Sequence, residues 1–281
     1  MAFAKYDVNM IQAKVLTAIE RRDVAALTSI VASNEYRELP DSDKSDLLSS
    51  AVLINDYEIV RTLLEMGAPT EVVGRSESKI TPLDFAIITN NVKILDLMLL
   101  FSKSVGRYRH SQQTLLELSV IHGSNECARV LLANANYAIA EKEAKSRAIL
   151  LATKCGRMDF MNLLRDAGFS LNYVTSEGES LLHIAAYEGH LDILHFLINH
   201  HLEVNQQDQD GATPLHWACI RGHDLIANAL LTRGGDVSAK TLAGLTPRDV
   251  AVLFGKPTCV SLFDKANRAE HAPFAQDQDS C

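Results

Sequence analysis

Three stretches of this chain align on one another without a gap at a period of 33 residues, and that regularity limits the fold more than any other feature. Gly178 opens GESLLHIAAYEGHLDILHFLINHHLEVNQQDQD, Gly211 opens GATPLHWACIRGHDLIANALLTRGGDVSAKTLA, and Gly244 opens GLTPRDVAVLFGKPTCVSLF. The same period of 33 links Asn90, Gly123, Gly156, Gly189 and Gly222. Asn55 stands 35 residues before Asn90, so two residues are inserted there, and Arg22 is again 33 earlier. The spacing divides the chain into eight units, 11–43, 44–78, 79–111, 112–144, 145–177, 178–210, 211–243 and 244–265. Residues 1–10 lead in, and 266–281 form a polar, non-periodic tail.

Each unit reads as a pair of helices and a turn. In the unit at Gly211, Thr213 is placed to cap a helix with its hydroxyl, and Pro214 stands at the first helical position, where its missing N–H costs nothing. Leu215, Ala218 and Cys219 give a short helix of small apolar side chains, and Gly222 ends it in the left-handed conformation that glycine accepts. Asn55 and Asn90 are tolerated in the same role. A second helix follows, with Leu225, Ile226, Ala229, Leu230 and Leu231 expected on one buried face. Gly234, Gly235 and Asp236 turn the chain towards the next unit. Neither helix can cover its apolar face alone, so neighbouring units must supply the partner surface.

These residues resemble the ankyrin repeat, over about residues 11–265. Thr213-Pro214-Leu215-His216, Leu182-His183, Gly189-His190 and Gly222-His223 carry the resemblance, with Thr81-Pro82-Leu83-Asp84 and Thr246-Pro247-Arg248-Asp249 as close variants. The unit at Lys145 departs most, because Arg147-Ala148-Ile149-Leu150 lacks the Thr, Pro and His. The resemblance implies an all-α repeat solenoid, helix-turn-helix units joined by β-hairpin fingers. It further implies a protein-binding scaffold whose partners meet finger tips and first helices on the concave face.

Several kinds of chemistry are missing from the pattern. Seven of the ten His lie between His183 and His223, yet no Cys2His2 or HExxH spacing occurs, so no metal is expected. His183 and His216 take the motif position whose imidazole bonds the neighbouring finger. His195, His200 and His201 are expected on a solvated helix face. There is no GxxxxGK[ST] loop, GxGxxG fingerprint or GxSxG elbow, so neither a catalytic site nor a cofactor is expected. Asp208-Gln209-Asp210-Gly211 falls at the finger and reads as a turn rather than a calcium loop. The chain carries a net charge of −8, with 27 basic against 35 acidic residues, a poor surface for nucleic acid.

No run approaches the length of a membrane span, so no membrane insertion is expected. Five dispersed Cys without a CxxC pair fit reduced thiols in the cytoplasm or nucleus. Cys281 stands last, whereas a prenylation box needs its Cys four from the end.

The two residues before each helix-ending Gly are expected to face the partner. They are Leu53 and Ile54, Ile88 and Thr89, Ile121 and His122, Lys154 and Cys155, Tyr187 and Glu188, Ile220 and Arg221, Leu253 and Phe254. Some of these apolar residues are equally readable as packing between units. Tyr187, Trp217, Ile220 and Arg221, with Glu188, are the favoured partner-binding set, since aromatic residues and Arg dominate interface hot spots; Ile88 and Ile121 extend it. Lys103, Arg107, Tyr108 and Arg109 form a basic finger suited to an acidic motif or phosphopeptide. Residues 178–210 carry six acidic and no basic groups, which favours a basic partner segment.

Asn205, after Leu197 and Val204, resembles the finger Asn that is hydroxylated in many ankyrin proteins. The pattern reads best as an adaptor or scaffold for another protein. It is also compatible with a direct inhibitor or regulator of a kinase, phosphatase or transcription factor, or with the substrate-recruiting repeat region of a larger ubiquitin ligase or channel. Neither the partner nor the oligomeric state is encoded in any motif.

Overall fold

The computed structural model describes residues 10–72, 74, 80–102, 114–134 and 145–270, without the side chains of 145–146 and 265–270. The helices follow one another in pairs. They are α1 Met10–Glu20 with α2 Val24–Val31, α4 Asp41–Ile54 with α5 Tyr57–Glu65, α6 Pro82–Ile88 with α7 Val92–Phe101, and α8 Leu115–His122 with α9 Asn125–Ala133. Then come α10 Lys145–Lys154 with α11 Met158–Asp166, α12 Leu181–Glu188 with α13 Leu191–Asn199, α14 Pro214–Arg221 with α15 Asp224–Thr232, and α16 Pro247–Leu253 with α17 Pro257–Glu270. A short helix α3, Asn34–Arg37, interrupts the pattern. The chain clusters into two compact units, residues 1–148 and 149–281.

Within each unit, first helices pack on first helices and second on second. In the first unit α4 packs on α6 and α6 on α8; in the second α12 packs on α14 and α14 on α16. The core between them is made of small and branched side chains. Leu182, Ala185 and Ala186 of α12 and Leu215, Ala218 and Cys219 of α14 are almost wholly removed from water. Small residues at these positions let neighbouring helices approach closely enough to fill the space at the density of a protein interior.

One expectation needs correction. Leu225 does not join the buried face of α15. It is 67% exposed, and Ile226, Ala227, Ala229 and Leu230 form that face, with Leu231 half-buried. Leu225 is the second residue of the helix, and its i+3 neighbour Asn228 is exposed with it, so it lies on the water-facing side of the first turn. The hairpin fingers are present in minimal form, with Thr175, Asp208 and Thr241 N–H donating across the turn to Glu179, Ala212 and Leu245 O at 2.9, 2.9 and 3.0 Å. Among the described residues the one β pairing outside helices is an isolated antiparallel bridge, Val174 to Ser180. The fingers at 175–178, 208–211 and 241–244 close by tight turns. Gly178, Gly211 and Gly244 N–H donate to the carbonyls of Thr175, Asp208 and Thr241 at 3.0, 3.0 and 2.8 Å. The arms on either side of each turn are too short to build a ladder.

The helix starts repeat one solution with different chemistry. Thr81, Thr114 and Thr246 accept the N–H of Asp84, Glu117 and Asp249, whose carboxylates accept the capping residue's own N–H in return. At Ser180 and Thr213 the returning group is an imidazole. Nδ1 of His183 accepts from Ser180 N at 3.1 Å, and Nδ1 of His216 accepts from Thr213 N at 3.0 Å. The expected hydroxyl cap is altered here, because the Thr213 hydroxyl lies 2.9 Å from His216 Nδ1.

Candidate functional site

The second nitrogen of each capping imidazole explains why His appears in this position. With Nδ1 accepting, Nε2 carries the hydrogen. It donates to the carbonyl of Ala212 at 3.0 Å from His183, and to that of Leu245 at 3.1 Å from His216. One side chain thus starts its own helix and ties down the following finger. Both rings are fully buried, and that burial holds each below the ordinary imidazole pKa. Neutral, with both nitrogens engaged, they are unavailable as metal ligands. Among the described residues no group of three His, Cys, Asp or Glu is placed to hold a metal ion.

His190 and His223 do a related job at the second helix. Their Nε2 atoms lie 3.1 Å from the carbonyls of Lys154 and Tyr187, at the end of the preceding unit's first helix. The rings lie against Gly156 and Gly189. A Cβ on Gly189 would stand 2.8 Å from His223 Cε1, and one on Gly156 2.6 Å from His190 Cε1. These two glycines are therefore required twice, by a left-handed φ and by the imidazole above them.

On the face formed by the first helices and fingers of the second unit, the favoured residues come together around Trp217. Its indole stands edge-on to Tyr187 at 5.4 Å and to His183 at 5.7 Å between ring centroids. Such edge-to-face pairs are favourable because a positive ring edge meets a negative face. Indole Nε1 donates to Asp208 Oδ2 at 2.9 Å. The other oxygen of Asp208 accepts the N–H groups of Asp210 and Ala212 at 3.0 and 2.8 Å, which shapes the finger turn. Arg221 lays its guanidinium over the Tyr187 ring, with Cζ 4.8 Å from the centroid. Tyr187, Glu188, Trp217 and Ile220 are half-buried and Arg221 is exposed. The result is a braced aromatic surface that still reaches water.

Lys154 and Cys155, one period before Tyr187 and Glu188, are both exposed. One period after Ile220 and Arg221, Leu253 is 69% and Phe254 50% exposed, so they are surface residues rather than packing between units. Ile88 on α6 and Ile121 on α8 belong to the first unit, where both are half-buried. The basic finger of Lys103, Arg107, Tyr108 and Arg109 lies outside the described residues. Of the three His expected on a solvated face, His200 and His201 are exposed and His195 is half-buried. His200 is not idle, since its Nε2 lies 3.2 Å from Arg165 Nη1. Asn205 is exposed and bridges to the next turn, donating from Nδ2 to Gly234 O at 2.9 Å and accepting Asp236 N–H at 2.8 Å.

The bracing role of Asp208 has no signature in the sequence. Its place in the finger is evident there, but nothing in the local pattern signals a bond to an indole nine residues later. Thr175 and Thr241 occupy the same register and do only the turn-forming part.

A family model described as ankyrin repeats, three copies, matches residues 148–241 and 182–269. The chain contains ankyrin repeats over this stretch. The matched stretch contains the His-capped helices, the glycine ends at Gly156, Gly189 and Gly222, and the Trp217 cluster. Ankyrin repeats are general protein–protein interaction modules, typically without catalytic activity, so this chain's partner is a protein. No helix among the described residues is long and apolar enough to cross a membrane.

Proposed function

We propose that this ankyrin-repeat protein is an adaptor or scaffold of about eight units, and that it captures an extended segment or loop of its partner on the first-helix and finger face around Trp217. The observation that carries this reading is the braced cluster of Asp208, Trp217, Tyr187 and Arg221. Two aromatic rings and a guanidinium are fixed in place by contacts within the protein yet remain accessible. Pre-ordering of this kind lowers the entropy lost on binding, and Trp, Tyr and Arg are the residues that dominate measured interface energies. Ile88 and Ile121 are proposed as a separate contact on the first unit. The thiols support a reducing compartment, cytoplasm or nucleus: Cys127, Cys219 and Cys259 are buried as small apolar residues, and burial raises each thiol pKa, that of Cys127 to about 12.

Affinity capture with the intact chain, followed by calorimetry on the captured partner, tests the assignment. Tyr187→Ala combined with Ile220→Ala is expected to weaken binding by about 2 kcal/mol or more. Asn228→Ala, on the exposed side of α15, is expected to leave affinity unchanged. The reverse pattern would place the partner on the second helices and sink the proposal. Asn205 is further proposed as a hydroxylation site, and mass spectrometry of protein from animal cells is expected to show one added oxygen on that residue.

A further inference from the structure

We infer that the partner segment is basic at one end and bulky-apolar at the other, with its basic side chains over the fingers at 175–178 and 208–211 and its apolar anchor over the finger at 241–244. This rests on the first-helix and finger face being the docking surface, and it adds the sense of charge and the order of residues.

The three finger tips are tied edge to edge. Gln209 N–H donates to Glu177 O at 3.0 Å, and Leu242 N–H donates to Asp210 O at 2.8 Å. Along this row the side chains change from acidic to apolar. Glu177 and Asp210 are exposed, while Leu242 is 82% exposed, and the same unit exposes Leu253 and Phe254 at the end of α16. Among the described residues no cation lies within ion-pair distance of Glu177, Glu179, Glu188, Asp208 or Asp210. Burial, reinforced by the neighbouring charges of Glu177 and Asp208, raises the pKa of the Glu179 carboxyl.

Lys154, Arg221 and Lys240 are the nearby cations, and the five carboxylates outnumber them. Excess negative charge beside a low-dielectric aromatic surface attracts a cationic segment and sets its orientation. First helices packed roughly 8–10 Å apart make two steps along the row equal to about five to six extended residues. An acidic segment would find these cations outnumbered and would face repulsion over the fingers at 175–178 and 208–211.

The test selects random displayed peptides on the intact chain, then measures the purified winners by fluorescence anisotropy. Winners are expected to carry Lys or Arg within a few residues of Leu, Ile, Met or Phe. Their affinity should drop about tenfold or more with Glu177→Lys combined with Asp210→Lys, and fall as salt rises. Leu242→Ala should weaken the same peptides without changing their salt dependence. These side chains are exposed and make no hydrogen bonds that shape the fingers, and circular dichroism would confirm intact folding. Winners that need Tyr187 and Ile220 but are acidic or neutral, or ignore the charge reversal, would overturn this inference and leave the docking face standing. Winners indifferent to Tyr187→Ala with Ile220→Ala, or no winners at all, would count against the docking face itself.

Discussion

A single imidazole nitrogen separates the better-formed units from the others. Asp84 and Asp249 close their caps as well as His216 does, but a carboxylate has no donor with which to hold the next finger's carbonyl. His216→Asp is therefore expected to keep the cap and lose the tie, costing about 1 kcal/mol, whereas His216→Ala loses both and costs about 2 kcal/mol or more. Urea denaturation of the two variants checks the order. The same burial gives a pH dependence. The folded pKa values of His183 and His216 lie below the unfolded value near 6.5, so the unfolded chain takes up protons first. Their contribution to stability is complete above about pH 6.5 and is lost as pH falls towards the folded values. Replacing both by Gln should flatten the acid limb of the stability profile, and an unchanged limb would show that other groups control it.

At the scale of the helix pair, the junction after each first helix is where sequence and structure agree least simply. The positions of Gly123, Gly156, Gly189 and Gly222 are legible as helix ends, because only glycine or Asn takes a left-handed φ without strain. Asn55 and Asn90, at φ 59° and 51°, confirm that Asn serves there. What the pattern does not reveal is that Gly189 also lies under the ring of His223. Periodicity records which residues recur, and says nothing of which atoms one unit lays on the next. Gly168 offers the comparison: its φ is 82°, against 90° at Gly189, and a Cβ placed on it would meet nothing within 4 Å. Gly168→Asn should cost only the backbone strain of its positive φ. Gly189→Asn should cost about 1 kcal/mol more, since the imidazole and its bond to Tyr187 O must shift. Equal melting temperatures for the two variants would mean that His223 moves aside freely.

Across the whole molecule, stacking decides burial and the sequence alone does not. Ala186, Cys219 and Val252 occupy one register, and the helix pattern predicts the same environment for all three. Ala186 and Cys219 are completely buried, whereas Val252 is 55% exposed. Cys219 is covered by the pair α16 and α17, where Cys259 approaches its thiol closely enough to hydrogen-bond. No further described helix pair follows to cover Val252. Repeat proteins behave as sums of unit stabilities and nearest-neighbour contacts, so a position that lacks its neighbour should lose its sensitivity to substitution. Val252→Glu is accordingly expected to change the unfolding free energy by less than about 0.5 kcal/mol. Cys219→Asp, which buries a charge at the equivalent site without a partner, should cost about 3 kcal/mol or more. Chemical denaturation of the intact chain compares them directly. A large penalty at Val252 would show that some part of the chain covers this position in solution, and the register argument would then fail at its end.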